Sequence, residues 1–169
     1  MSLGARVRGM ISRAVISLVN DAAKLQALQV TLMADQTPDD VEHFQHYGLT
    51  SVPHAGAEGI ALAIAGSTGH TAIINVDDRR YRLTGLQGGE VALYDDLGHK
   101  VHLTRDGIVI DGAGQDIRII NAPTVHIETN LHVTGAITAD GDITGVGISL
   151  QNHTHGGVQP GGSETNVPS

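Results

Sequence analysis

Hydrophobic and polar residues alternate strictly over one long stretch of the chain, from residue 125 to residue 144. The even positions are nearly all polar. The odd positions carry either small residues or large aliphatic ones. The small residues are Thr129, Gly135, Ala139 and Gly141, and the large ones are Val125, Ile127, Leu131, Val133, Ile137 and Ile143. Because successive side chains of an extended chain point to opposite sides, this pattern predicts β-structure with one buried, apolar face. The alternation shifts by one residue near Gly145, where we expect a bulge, a bend or a change of strand.

A β-ribbon of this kind has no partner sheet within its own chain. An isolated ribbon is marginal in water, so its partner must be another copy of the same chain. Three copies wound around one axis would stack the aliphatic side chains into a narrow core with no room for aromatic rings. The pattern therefore predicts a long, homotrimeric β-structured shaft.

The first 95 residues predict a small β-barrel instead. Two β-favouring runs, at residues 11–20 and 25–34, flank a short polar stretch, which is typical of a β-hairpin. The Ala, Leu and Gln content of residues 5–34 leaves a helix as the alternative there. Turn signals separate further predicted strands, at residues 59–65, 71–76, 80–86 and 90–95. Beyond residue 95, aliphatic pairs between tight corners predict short strands, at Val101/Leu103, Ile108/Ile110 and Ile117/Ile119.

The two halves of the chain differ in aromatic content. The large rings are Phe44, Tyr47, Tyr81 and Tyr94, and none follows. Aromatic side chains bury about 150 to 250 Å² each and normally contribute much of a globular core. The second half must therefore be stabilised in another way, which agrees with association between copies.

Charge and cysteine content exclude several classes of function. The 18 acidic residues outnumber the 10 basic ones, for a formal charge of -8, and this balance opposes nucleic-acid binding. Without cysteine the chain has neither disulfides nor a cysteine nucleophile. The apolar run at residues 14–19 is too short to span a membrane, and no signal-type cleavage region follows it. We expect a soluble product made in the bacterial cytoplasm.

Catalytic machinery is not visible in the sequence. Asp77 with Asp78 and Asp95 with Asp96 are adjacent pairs, whose side chains would point to opposite faces of a strand. They are unsuited to a two-carboxylate hydrolase site, and we interpret them as turn or surface charges. The Gly-x-Ser-x-Gly nucleophile motif is also missing. The sequence predicts that the protein is not an enzyme.

A candidate metal site lies near the C-terminal end, where one residue separates His153 from His155 in a Gly-rich segment. In an extended chain both imidazoles project from the same side. If three chains meet on an axis here, six ring nitrogens come together, which suits an octahedral ion better than tetrahedral zinc. In an arbitrary sequence the two histidines would be a solvated loop, but a preceding trimeric shaft favours the metal site. Two other histidine pairs are expected to have no metal. His126 and His132 fall on the polar positions and are expected to be solvated, while His43 and His46 are expected to pair on a loop.

Several segments resemble the baseplate spike proteins of Mu-like phages, and the resemblance runs along the whole chain. The segments are EHFQHYG at residues 42–48, GAEG at 56–59, DDRRYR at 77–82, EVALYDD at 90–96, HLTRDG at 102–107 and HTHGGVQPG at 153–161. The resemblance implies an all-β protein with an N-terminal OB-fold-like barrel and an intertwined triple-stranded β-helix as its shaft. It further implies an apex where His153 and His155 of three chains bind one iron ion.

The resemblance also implies a mechanical function in the virion. The expected domains are the barrel at residues 1–95, the shaft at 96–150 and the apex at 151–169. The homotrimer would be held by baseplate hub and tail proteins at its barrel end and driven through the host outer membrane when the sheath contracts. No basic residue follows Arg118, so the tip does not attract anionic lipid and puncture depends on the sheath. The alternative is a trimeric receptor-binding tail fibre or adhesin, which would be expected to end in a knob.

Overall fold

The computed structural model describes residues 10–32, 37–67, 69–157 and 161–162. In these ranges the chain is built from β-strands and one 3-10 turn (Ile64–Gly66), with no α-helix, and so with no helix able to cross a membrane. It divides into two compact units, Met1–Arg118 and Ile119–Ser169. The strands are β1 (Ile11–Asn20), β2 (Ala27–Leu32), β3 (Val41–Phe44), β4 (Glu58–Ala63), β5 (Thr71–Asp77), β6 (Val91–Tyr94), β7 (Lys100–Leu103), β8 (Ile108–Asp111), β9 (Thr144–Gly145) and β10 (Ile148–Ser149).

Five strands of the first unit close into a barrel in the order β1-β2-β3-β5-β4. The long strand β1 pairs antiparallel with both β2 and β4, and a register shift between Ile16 and Leu18 bends it between these two partners. Strands β3 and β5 run parallel. The predicted hairpin and the OB-fold-like barrel are confirmed, and the helical alternative is wrong for the described part of residues 5–34. Residues 33–34 of the second predicted run lie outside the described residues.

Small and aliphatic side chains fill the barrel. Its buried hydrophobic residues are Ala14, Ile16, Ala27, Leu28, Val30, Val41, Ala57, Ala61, Ala63, Ala72 and Ile73. Gly59 of β4 lies close to Ile73 of β5: a Cβ added to Gly59 would lie 3.0 Å from Cγ2 of Ile73, so a larger residue would crowd the contact between these two strands. The four aromatic rings remain at least 38% exposed. The rings that distinguish the first half by composition therefore lie outside its core, because a five-stranded barrel is narrow.

A buried polar pair joins Gln26, the residue before β2, to His43 of β3. Nδ1 of His43 lies 2.7 Å from Oε1 of Gln26. Nε2 of Gln26 donates to the Asp21 carboxylate at 2.6 Å and to the Ser51 carbonyl oxygen at 3.0 Å. Because Oε1 of Gln26 can only accept, the Nδ1–H of His43 donates to it. Burial lowers the pKa of His43, which keeps the ring neutral. The expectation that His43 lies on a loop is wrong, since it is a buried residue of β3.

The strand predicted at residues 80–86 does not form, because a side-chain network makes a turn there. The Asp78 carboxylate accepts the backbone N–H of Arg80 at 3.0 Å and its guanidinium at 2.6 and 2.9 Å. Nη2 of Arg80 also donates to the Ala55 carbonyl oxygen at 2.8 Å. The barrel strand missing from the prediction is β3, whose four residues lie in a polar context. The strands predicted at residues 59–65 and 71–76 are confirmed as β4 and β5.

Strands β6, β7 and β8 follow the barrel as an antiparallel sheet in chain order. They confirm the strands predicted at Val101/Leu103 and Ile108/Ile110. The strand predicted at residues 90–95 also forms, as β6, but it belongs to this sheet and not to the barrel. Ile117 and Ile119 lie in no strand, so this third pair was wrong for the single chain. Nε2 of His54 lies 3.1 Å from Oδ2 of Asp96, which links the loop before β4 to the turn after β6.

In the second unit, β9 and β10 form a short antiparallel hairpin. Val146 and Gly147 connect them with φ angles of 52° and 80°, as a type I′ turn requires. This turn is the change of strand predicted where the alternation shifts. Residues 119–143 form no strand within the single chain.

The Asp78–Arg80 pair gives a titration prediction. The side-chain hydrogen bond from Arg80 is the largest cause that lowers the pKa of Asp78 from 3.8 to about 2. Because the folded-state pKa is lowered, the pair stabilises the fold above about pH 4, and this stabilisation is lost as the pH falls toward 2. In Arg80→Gln we expect the Asp78 pKa to rise toward 3.8 in a carboxyl ¹³C NMR titration.

The matched control is Arg79→Gln. Nε of Arg79 donates to Glu58 at 2.8 Å rather than to Asp78, so this variant should leave the Asp78 titration unchanged. An unchanged Asp78 pKa in Arg80→Gln would contradict the assigned cause.

Candidate functional site

One face of the β6–β8 sheet is entirely aliphatic. In the first row, Leu93 is opposite Val101, and Val101 is opposite Ile110. In the second row, Val91 is opposite Leu103, and Leu103 is opposite Ile108. Directly opposite residues share a face of an antiparallel sheet, so two rows of three side chains lie side by side. The six residues are Val91, Leu93, Val101, Leu103, Ile108 and Ile110, and each is 37–71% exposed. We call this surface the aliphatic sheet face.

The opposite face of the same sheet is largely polar and its charges are paired. Nζ of Lys100 lies 2.7 Å from Oδ2 of Asp111. Next to the sheet, the Glu90 carboxylate accepts the backbone N–H groups of Gln87 at 2.9 Å and Arg105 at 3.1 Å, and its Oε2 lies 3.3 Å from Nε2 of His102. These contacts lower the pKa of Glu90, with the Gln87 N–H as the largest cause. One face is therefore suited to water and the other to an apolar partner.

The odd-position stripe of the second unit is likewise exposed. Its six large aliphatic residues, from Val125 to Ile143, are 41–66% exposed in the single chain. Exposed apolar surface of this extent usually marks an interaction site, whereas isolated exposed aliphatic residues do not. The sheet face in the first unit and the stripe in the second unit are thus two apolar surfaces, each left uncovered by the single chain.

The two apex histidines lie immediately after β10. Their ring centroids are 5.0 Å apart, with the rings edge to face at 77°. Nδ1 of His153 lies 3.1 Å from the carbonyl oxygens of both Ser149 and Leu150. Because carbonyl oxygens only accept, Nδ1 carries the proton, and in the neutral ring Nε2 presents a free lone pair. A hydrogen bond at one ring nitrogen that leaves the other available is the usual arrangement of a metal-ligating histidine.

The described residues of one chain do not by themselves form a metal site, since no group of three or more His, Cys, Asp or Glu side chains among them is positioned to hold an ion. Structural zinc sites almost always have four ligands, whereas His153 and His155 provide two. In the apex expected from the sequence, the remaining ligands would come from further chains. Imidazole nitrogen suits iron, so the donor type fits the expected ion.

The other histidines and the adjacent aspartates have structural or solvent contacts. His126 and His132 are exposed, as predicted from their polar positions. Oδ2 of Asp95 lies 2.6 Å from Nδ1 of His99, and its Oδ1 accepts the backbone N–H of Leu97 at 3.0 Å. The His99 side chain is the largest cause that lowers the pKa of Asp95. The interpretation of the adjacent aspartates as turn and surface charges is thus confirmed.

Comparison with known proteins matches two parts of the chain to known families. Residues 13–80 match the family described as Bacteriophage Mu Gp45, N-terminal, and residues 147–169, which include His153 and His155, match the GpV Apex motif. Baseplate puncturing device gp45 of Escherichia phage Mu is 35% identical, over 92% of this chain and 88% of the phage protein. Mu-like prophage FluMu protein gp45 of Haemophilus influenzae is 38% identical, over 86% of each chain. With such identity along almost its entire length, the chain belongs to the phage Mu gp45 family of baseplate spike proteins.

Proposed function

We propose that this chain is a structural virion protein, the central spike of a contractile-tail baseplate, which pierces the host outer membrane when the sheath contracts. The phage Mu relative, named a baseplate puncturing device, supports this function over that of a receptor-binding fibre or an enzyme. The observation on this chain that carries the proposal is its uncovered aliphatic surface. A spike made of identical chains would bury that surface and leave a polar exterior.

The proposed assembly is a homotrimer with a barrel at residues 1–95, a shaft at 96–150 and an apex at 151–169. The aliphatic sheet face and the odd-position stripe both offer β-branched and leucine side chains without aromatic rings. Such side chains fit the narrow space around a threefold axis. In the intertwined triple-stranded β-helix that we propose, strands of neighbouring chains would also pair the backbone groups of residues 119–143. A closed arrangement of this kind leaves few free strand edges.

The proposed action is mechanical. No basic residue follows Arg118, so the tip has no attraction for anionic lipid, and the energy of puncture would come from sheath contraction. The barrel would be held by hub and tail proteins of the baseplate. Its strand pairing is complete within one chain, which suits an element that must transmit force without unfolding.

We further propose that the apex holds one iron ion per trimer through His153 and His155 of each chain. Three chains would supply six imidazole nitrogens, and the free Nε2 of His153 supports this ligand set. The bound ion would crosslink three chain ends that would otherwise fray. The match to the GpV Apex motif covers this segment.

The shaft is tested by placing a charged side chain at an odd position of the stripe and, as a control, at the adjacent even position. Val133→Asp would place a charge in the proposed core, which costs several kcal/mol unless the charge is paired. We expect a monomer or an aggregate by size-exclusion chromatography with light scattering, instead of three times the 17.6 kDa chain mass. Thr134→Asp, on the adjacent even position, is the control and should stay trimeric. A trimeric Val133→Asp variant would argue against the shaft.

The aliphatic sheet face is tested in the same way on β8. Ile110 lies on this face, and its neighbour Val109 points to the opposite one. We expect Ile110→Asp to weaken the trimer, seen as dissociation at a higher protein concentration than the wild type in sedimentation analysis. Val109→Asp should dissociate as the wild type does. Equal behaviour of the two variants would remove the sheet face from the interface.

The apex is tested by elemental analysis of the untagged protein. We expect roughly one iron per three chains in the wild type, from the six-imidazole ligand set, and none in His153→Ala/His155→Ala. The double variant should remain a trimer, because the shaft supplies most of the buried surface. His126→Ala/His132→Ala removes two exposed histidines and should retain the iron. Full iron content in His153→Ala/His155→Ala would place the ion elsewhere.

A further inference from the structure

The apex histidines follow a hairpin that one carboxylate closes. Asp142 comes two residues before β9, and its Oδ1 accepts the backbone N–H of Gln151, beyond β10, at 3.1 Å. The Ser149 side chain on β10 is a further hydrogen-bonding partner of this carboxylate. These hydrogen bonds lower the pKa of Asp142, with Ser149 as the largest cause and Gln151 next. Asp142 thus connects the segment that enters the hairpin with the segment that leaves it.

The same hairpin holds the ring of His153. Its carbonyl oxygens at Ser149 and Leu150 accept the Nδ1–H of His153, each at 3.1 Å. The Leu150 N–H donates to the Ile143 carbonyl oxygen at 2.8 Å, and Oγ of Ser149 accepts the Asn152 N–H, also at 2.8 Å. Two steps therefore separate the Asp142 carboxylate from the imidazole: the carboxylate fixes residues 149–151, and their carbonyl groups fix the ring.

We propose that Asp142, together with Ser149, is a positioning residue for the apex, which holds His153 in the Nδ1–H form with Nε2 directed away for a metal ion. The ligand in this inference rests on the proposed iron apex, but the hydrogen bonds are made within the single chain. Groups that orient a metal-ligating histidine through its second nitrogen typically change metal affinity about 10- to 100-fold when they are removed. Sequence reasoning missed Asp142 because it treated the residue as one of several solvated even positions.

The chain offers a matched control for Asp142. Asp140 lies two residues earlier, has the same charge, and is exposed like Asp142. Replacing either by Ala removes one negative charge close to the apex, so a general electrostatic effect would be similar in both variants. Asp142→Asn keeps a side-chain oxygen that can accept from Ser149 and Gln151, and it should restore part of the lost positioning.

Two measurements on the full-length trimer test the proposal. The first is iron affinity by competition with a chelator, where we expect Asp142→Ala to bind about 10- to 100-fold more weakly than the wild type. The second is ¹⁵N NMR of the His153 imidazole after iron removal, where Asp142→Ala should lose the preference for the Nδ1–H tautomer. Asp140→Ala should match the wild type in both measurements, and Asp142→Asn should fall between.

The outcomes separate this inference from the proposed iron apex. Wild-type tautomer and iron affinity in Asp142→Ala would overturn the positioning role and leave the iron apex intact. A wild-type trimer without iron would refute the iron apex, while the tautomer would still decide whether Asp142 orients His153. If Asp142→Ala does not fold, Asp142→Asn combined with Ser149→Ala decides the question, since the pair weakens both contacts of the carboxylate but keeps the Ser149 carbonyl oxygen. An unaltered tautomer in this double variant would then overturn the role.

Discussion

Burial of aliphatic side chains that one chain leaves in contact with water is the interaction on which the proposed trimeric shaft depends. Full burial of a Val, Leu or Ile side chain contributes about 1.5 to 3 kcal/mol. Six such residues on the sheet face and six in the odd-position stripe would thus contribute on the order of tens of kcal/mol per chain. Whole domains are typically stable by only about 5 to 15 kcal/mol. For the second half of the chain, association and folding are therefore expected to be one process.

The barrel, in contrast, buries its core and pairs its strand edges within one chain. Alanines make up about half of that core, which keeps the barrel narrow. The polar contacts that hold its loops are local and paired, as with Gln26 and His43 or Asp78 and Arg80. A unit of this kind can fold before its partners arrive. In the proposed assembly, an element with its own core is therefore joined to one that would be completed by further copies of the chain.

The sequence predicted most strands of the barrel and of the β6–β8 sheet, but not the local turn chemistry between them. The strict alternation at residues 125–144 predicts a face buried between chains, which stays a prediction, since its aliphatic side chains are 41–66% exposed in the single chain. The strand predicted at residues 80–86 failed because Asp78 bonds to the backbone N–H of Arg80, and a period-two pattern contains no information on such a contact. Strand β3 was missed because four residues are too few for a period to be recognised. At the apex, the spacing indicated His153 and His155. The hydrogen bond that the Asp142 carboxylate accepts from Gln151 depends on a hairpin that the sequence predicted only as a bulge, a bend or a change of strand.

The division of ligands at the apex has a consequence for assembly. Each chain brings two imidazoles, fewer than a stable metal site needs, so a bound ion would require that several chains already lie together. An ion that binds the assembled state and not the single chain shifts the equilibrium toward assembly, by mass action. The shaft would bring the chain ends close, and the ion would then oppose their separation. Carbonyl groups of its own chain already orient the His153 ring. Less conformational entropy of this side chain would therefore be lost when the chain ends meet, which would favour binding of the ion at the last step of assembly.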